Sequence, residues 1–235
     1  NNNNFSQAAG QACLLSLEDA HTLLHEFGHG LHGLLSQLTY PKLAGTNVLR
    51  DFVEFPSQLF EHWLLQPEIL KRHALHVETG EPMPDALIEK ILKAKTFNQG
   101  FASVEYLACA LADLDLHQRT DFEGLDLQQF EGDLMSRIGM PSAIGLRHRL
   151  PHFLHLFSGS GYASAYYVYL WAEVLDADGF EAFIEAGDPF DPTLAKRLHD
   201  YVYSAGNRYE PMQAYVAFRG REPAVEALLR QRGLQ

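Results

Sequence analysis

His25, Glu26 and His29 form an H-E-x-x-H run inside Thr22-Leu-Leu-His-Glu-Phe-Gly-His-Gly-Leu-His32. On a helix a four-residue step turns about 400°, so the two imidazoles leave one face a turn apart and can clamp a single ion. Glu26 falls about 100° around from His25, near enough to reach a water on that ion yet off the ligand face. Its chemistry is that of a general base. Leu24, Leu31 and Leu35 make one apolar stripe, and Leu23, Phe27 and Leu34 a second, which leaves the histidines a narrow strip between buried faces. Two imidazoles buried there without a partner would pay a desolvation cost, so a metal ion is the expected partner. His32, at i+7 from His25, reads as a packing or supporting histidine.

A catalytic zinc site takes three protein ligands and keeps a fourth position open. Glu54 is the best candidate for the third, 25 residues after His29 in Arg50-Asp-Phe-Val-Glu54-Phe-Pro-Ser-Gln58. These two motifs, with Gly45-Thr46 between them, resemble the thimet oligopeptidase family of zinc peptidases, which includes oligopeptidase A and dipeptidyl carboxypeptidase. The resemblance implies a zincin-type catalytic domain with the H-E-x-x-H helix at its centre. It implies one Zn²⁺ per chain, held by His25, His29 and Glu54. Asp51, a turn before Glu54, is placed either to accept the second ring proton of a ligating histidine or to sit solvated at a helix start.

A second stretch runs from Arg147 through His155, Ser158-Gly-Ser-Gly161 and Tyr162 to Trp171. Read as a helix, Tyr162, Tyr166 and Tyr169 fall at i, i+4 and i+7 on one face. Spacing alone fits either an aromatic packing stripe or a set of hydrogen-bond donors. By the resemblance, His155, Tyr162 and Tyr169 serve the tetrahedral oxyanion, and Tyr166 and Gly161 the substrate. The Ser158–Gly161 loop is a residue or two longer than the family's form between the histidine and the first tyrosine. His148 and His152 repeat an i, i+4 step, but Pro151 between them and the lack of an acidic partner point to surface or supporting roles. Phe218-Arg-Gly-Arg-Glu-Pro223 also resembles the family's closing segment, with salt bridging the expected work of Arg219 and Arg221. The resemblance covers nearly the whole chain.

The elements expected to position these residues are helical throughout. Ser16, with Glu18 and Asp19 behind it, starts the first helix, which runs to about Gln37. Gly28, Gly30 and Gly33 inside it are expected to admit close packing or a substrate backbone. A second helix carries Glu54 to about Leu65, kinked or begun near Pro56. Pro67 and Pro84 open further helices, Phe101–His117 and Leu127–Ile138 follow, and Gly179–Ala186, Pro192–Ser204 and Ala224–Arg232 close the chain, with Gly206 and Gly220 as breaks. No strand-like alternation of any length occurs, so the fold class is all-α.

With 235 residues, 46% of them hydrophobic, the chain can bury one large core. Its charge of −12 argues against a nucleic-acid surface, and no apolar run nears the roughly 20 residues of a membrane span. Cys13 and Cys109 read as buried free thiols of a reducing compartment, and the expected location is the cytoplasm. The opening Asn1-Asn-Asn-Asn-Phe5, with no initial methionine, suggests the catalytic C-terminal part of a longer enzyme, a monomer whose partners are short peptides and its own N-terminal portion.

The resulting expectation is a zinc metalloendopeptidase acting on short, unstructured peptides. Release of C-terminal dipeptides is the alternative, and requires a group that captures the substrate carboxylate. A non-catalytic helical metal scaffold is the rival from another class; it fits poorly with Glu26, since a structural zinc takes four protein ligands and no poised base.

Overall fold

A computed structural model describes Phe5, Gly10 and residues 12–235; the four opening asparagines, residues 6–9 and Gln11 lie outside the described residues. The described chain is all-α, and its one β feature is an isolated antiparallel bridge between Leu75 and Pro82. In chain order the helices are α1 (Leu17–Leu34), α2 (Arg50–Val53), α3 (Phe55–Glu61), α4 (Pro67–His73), α5 (Asp85–Ala94) and α6 (Gln99–His117). Then follow α7 (Leu127–Arg137), α8 (Leu154–Phe157), α9 (Val168–Ala186), α10 (Pro192–Leu198), α11 (Pro211–Arg219) and α12 (Val225–Gln231). Contacts divide the chain into two compact units, one of residues 1–97 with 172–233 and 235, the other of residues 98–171 with 234.

In the first unit, α1 begins where the sequence predicts. The Ser16 hydroxyl accepts the Asp19 N–H at 3.0 Å, and the Asp19 carboxylate accepts the Ser16 N–H at 2.9 Å, a reciprocal cap that satisfies two free helix-start donors. The helix stops at Leu34, short of Gln37. It lies against α3 at Gly28, where an added Cβ would stand 2.6 Å from the Ser57 Cα. No other residue fits that approach. Around this contact Phe52, Phe55, Leu59, Phe183, Val202, Tyr215 and Phe218 are buried. Truncating Phe55, which is 0% exposed, would cost about 3–5 kcal/mol.

One buried polar cluster in this unit is fully paired. Asp178, wholly buried, accepts the Tyr215 hydroxyl at 2.6 Å, Arg219 Nε at 3.2 Å and Arg221 at 2.5 Å, while Arg219 also grips Glu185 with both terminal nitrogens. This is the salt bridging expected of the two arginines. Burial, and behind it the Asp178 carboxylate, push the Tyr215 hydroxyl far above the usual phenol range. The final stretch differs from the sequence reading in two places. After Leu198, α10 loosens into a π-helical turn, His199–Tyr203, and α11 forms between Gly206 and Gly220, where the glycines alone suggested a break. Gly220 ends α11 with φ +92°, a helix-terminating conformation that favours glycine.

In the second unit, Ala108, Cys109, Ala112 and Leu116 of α6 pack with Leu134 of α7 and with Leu146, Leu150, Phe153 and Leu156. Cys109 is buried, as the sequence suggests, and burial raises its thiol pKa. Cys13 is exposed instead: it precedes the cap of α1, in a stretch without regular structure, so no helix face carries it inward. No helix among the described residues is long and apolar enough to cross a membrane.

Candidate metal centre

Helix α1 brings the His25 and His29 rings to a centroid distance of 4.8 Å, nearly perpendicular to each other. Glu54 sits between α2 and α3, at φ −83° and ψ −16°, so the predicted second helix is jointed at this residue rather than continuous. Pro56 then occupies the first turn of α3, where a missing N–H costs nothing. The joint turns the Glu54 side chain inward, and only 2% of the residue stays exposed. Its Oε2 stands 3.4 Å from His25 Nε2 and 3.2 Å from His29 Nε2. One ligand atom from each of the three residues falls within 4.8 Å of the others.

The surroundings of this triangle favour a cation. His25 Nδ1 is 2.6 Å from Glu61 Oε1, so when it donates there the ring keeps its Nε2 lone pair for the Glu54 side. Glu61 is shared, its Oε2 lying 2.9 Å from Nε2 of the half-exposed His21. Burial alone would lower the His25 pKa, but the carboxylates of Glu54 and Glu61 outweigh it and hold it up at about 10. Burial likewise pushes Glu61 up, and its two histidines bring it below the usual carboxylate range. The Glu54 and Glu61 carboxylates at these distances attract a cation in the same place. The donor set, two imidazole nitrogens and one buried carboxylate oxygen, fits a metal ion with an open coordination position.

Neighbouring residues divide into those at the triangle and those beside it. Glu26 follows His25 on α1 and is half-buried. His32 is wholly buried, edge-on to Tyr203, and outside the triangle. Burial pushes its pKa down to about 4, which keeps it neutral, and neither ring nitrogen has a protein partner. Sequence reasoning missed Glu61 and looked to Asp51 for its role toward a ligating ring. For His25 that role falls to Glu61. The signal was present, because Glu61 follows Glu54 by seven residues, the spacing of a shared helix face.

In the second unit, His155, Tyr162, Tyr166 and Tyr169 come together, but not by the predicted route. Helix α9 begins at Val168, so of the three tyrosines Tyr169 alone is helical, and the single helical face is corrected to a turn leading into a helix. Ser164 breaks the periodicity with φ +59°, and the Ala165 N–H closes a turn onto the Tyr162 carbonyl at 3.0 Å. The rings still meet. His155 lies 4.3 Å from Tyr162 and 5.7 Å from Tyr169 between ring centroids, and its Nε2 is 2.8 Å from the Tyr169 hydroxyl. Tyr162 stacks on Tyr169 at 5.5 Å, and Tyr166 meets Tyr169 edge-on at 5.6 Å. The lengthened Ser158–Gly161 loop, Gly161 included, is exposed and leaves the contact of His155 with Tyr162 intact. His148, His152, Phe153, Leu154, His155, Tyr166 and Tyr169 line a cavity of about 410 Å³ in this unit.

Two histidines a turn apart on α1, a buried glutamate facing both and a second glutamate beside the first histidine are donors that could hold a metal ion and act on a water. Residues 2–234 match the family model described as Peptidase family M3, and the chain belongs to that family. It is 41% identical over 228 residues, 96% of its length, to a dipeptidyl carboxypeptidase of Salmonella typhimurium, and covers 33% of that protein. It is 39% identical over 235 residues to oligopeptidase A of Haemophilus influenzae, with 98% of this chain and 34% of that protein aligned. To saccharolysin of Saccharomyces cerevisiae it is 33% identical, over 99% of this chain and 33% of the relative. The chain thus spans about a third of the length of the curated relatives it matches. Membership in this family implies a metal.

Proposed function

We propose that the chain is the catalytic C-terminal portion of a zinc metalloendopeptidase that hydrolyses short, unstructured peptides. The observation that carries this is the His25–His29–Glu54 triangle, with Glu26 beside it on α1. These three residues would hold one Zn²⁺, which when bound polarises the scissile carbonyl and makes water a nucleophile near neutral pH. Glu61 fixes the His25 ring with Nε2 on the Glu54 side, where it would be free to hold the ion. Glu26 takes a proton from the attacking water and passes it to the leaving amine. Tyr162, with His155 or Tyr169, donates to the tetrahedral oxyanion, and Tyr166 and Gly161 contact the peptide. These last roles rest on the family resemblance and on the clustering of the rings.

Short peptides are the proposed substrates, the N-terminal portion of the same enzyme the proposed partner, and a cytoplasmic monomer the proposed state. The relatives named oligopeptidase A support internal cleavage. Those named dipeptidyl carboxypeptidase, at 41% and 40% identity, support a second reading, release of C-terminal dipeptides. Metal content measured alongside cleavage of a quenched peptide tests the enzyme class. One zinc per chain with metal-dependent cleavage is expected; bound metal without cleavage in the full-length protein would leave a metal-binding scaffold. Amidating the peptide's C-terminus separates the two modes, because only dipeptide release needs the free carboxylate.

A further inference from the structure

The tyrosine segment is held from behind by a residue with no assigned role. Asp113, one turn before the end of α6, is 0% exposed. Its Oδ1 accepts the Ser164 N–H at 2.8 Å, and its Oδ2 accepts the Tyr166 N–H at 2.9 Å. His117, one turn on, places Nδ1 2.8 Å from Oδ1. Tyr106, nearly two turns before Asp113 on α6, donates its hydroxyl to the Tyr166 carbonyl and stacks its ring on Tyr166 at 5.1 Å. Residues 164–166 are therefore tied to α6 at the Ser164 and Tyr166 N–H groups and at the Tyr166 carbonyl, while Ser158–Gly161 just ahead is exposed. Ser164 keeps a left-handed φ of +59°, rare for a residue other than glycine, while its N–H is bound by Asp113. An unbranched helical course through Tyr162, Tyr166 and Tyr169 would not give these contacts; the carboxylate fixes the turn that replaces it.

We infer that Asp113 is a positioning residue for the reaction, setting through two backbone N–H groups where the Tyr162 and Tyr166 hydroxyls stand. The inference rests on the proposed role of those tyrosines. A hydrogen-bond donor displaced by about 1 Å can cost on the order of 10²-fold in rate. Asp113→Asn keeps the shape but turns an NH₂ toward one of the two N–H groups, so one tether becomes a repulsion. Tyr106→Phe keeps the stacked ring and removes the third tether alone.

The test uses the zinc-loaded full-length protein, assayed well below the melting temperature of each variant. Asp113→Asn is expected to lower kcat about 10–100-fold with KM and zinc content little changed, and to bind a phosphinic peptide, which mimics the tetrahedral adduct, correspondingly less tightly. In that background Tyr162→Phe should cost less than it does alone, because the hydroxyl is already misplaced. A lowered melting temperature with wild-type kcat, alongside a still-impaired Tyr162→Phe single variant, would overturn the inference and leave the tyrosine roles standing. Wild-type kcat in the Tyr162→Phe single variant would overturn the tyrosine roles and the inference together. Should Asp113→Asn fail to fold, Tyr106→Phe decides: a reduced kcat at unchanged KM supports the inference, and an unchanged kcat overturns it.

Discussion

His25 and His29 meet because a helix repeats every 3.6 residues, whereas Tyr162, Tyr166 and Tyr169 meet although only the last of them is in a helix. In the first region the geometry comes from local periodicity on α1, and long-range contacts merely add the carboxylates of Glu54 and Glu61. In the second, a long-range carboxylate on α6 overrides the local pattern and bends the chain into a turn. Their burial differs as well. Glu54 is sealed among packed helices, while His155 and the loop after it are exposed. Equal sequence spacing therefore has unequal meaning: it predicts structure where the backbone keeps its helical hydrogen bonds, as through Gly28 in α1, and fails where a buried carboxylate claims the N–H groups, as at Ser164 and Tyr166.

The largest expected effects fall on the first region. His25→Ala, His29→Ala or Glu54→Ala should lower zinc affinity by more than the roughly 10–100-fold typical of losing a supporting hydrogen bond, and activity with it. Competition with a calibrated chelator measures this directly, and an unaltered affinity in the Glu54 variant would remove it from the ligand set. Glu26→Gln comes next. Zinc should be retained while turnover falls by about 10²–10⁴, the usual worth of a general base. Turnover close to wild type would end that assignment.

In the second region Tyr162→Phe sharpens the contrast. As an oxyanion donor, the hydroxyl should be worth about 10²–10³ in kcat with little change in KM or zinc content. As a packing group, its loss should lower stability by roughly 1–3 kcal/mol and spare kcat. Tyr169→Phe, whose hydroxyl is already 2.8 Å from His155 Nε2, is the comparison within the same cluster.

How far the sequence could be read follows the same division. The cap at Ser16, the paired histidines and the inward glutamate were legible, because each is a local pattern of a few residues. The all-α class was legible because no alternation competes with helical spacing. The start of α9 was misplaced, since Tyr162 to Trp171 has helical spacing and nothing local reveals that Asp113, some fifty residues earlier, binds the N–H groups of Ser164 and Tyr166. A hint was present in Asp113 and His117, a polar i, i+4 pair inside an Ala- and Leu-rich helix that must find buried partners. Helix α11 was lost because Gly206 and Gly220 read as breaks, whereas they bracket a nine-residue helix.

The smallest expected effects grade the support behind the first region. Glu61 touches His25 at 2.6 Å and is only 16% exposed, so its charge acts on the ring with little screening. Glu61→Gln preserves an oxygen that can accept the Nδ1 proton but removes the charge that makes the imidazole a stronger donor to a metal. Zinc affinity should fall about 10–100-fold, less than for loss of a ligand. His21 contacts the other oxygen of the same carboxylate, yet half of its side chain is open to solvent. An exposed pair of this kind is worth about 0–1 kcal/mol, so His21→Ala should weaken zinc binding at most about fivefold. Isothermal titration of the metal-free chain against buffered zinc reads both variants on one scale. If Glu61→Gln binds zinc as tightly as the wild type, the contact with His25 is packing, and the first region's geometry would rest on helix periodicity and Glu54 alone. If His21→Ala proves as costly as Glu61→Gln, the carboxylate depends on its outer histidine, and the support would extend to the protein surface.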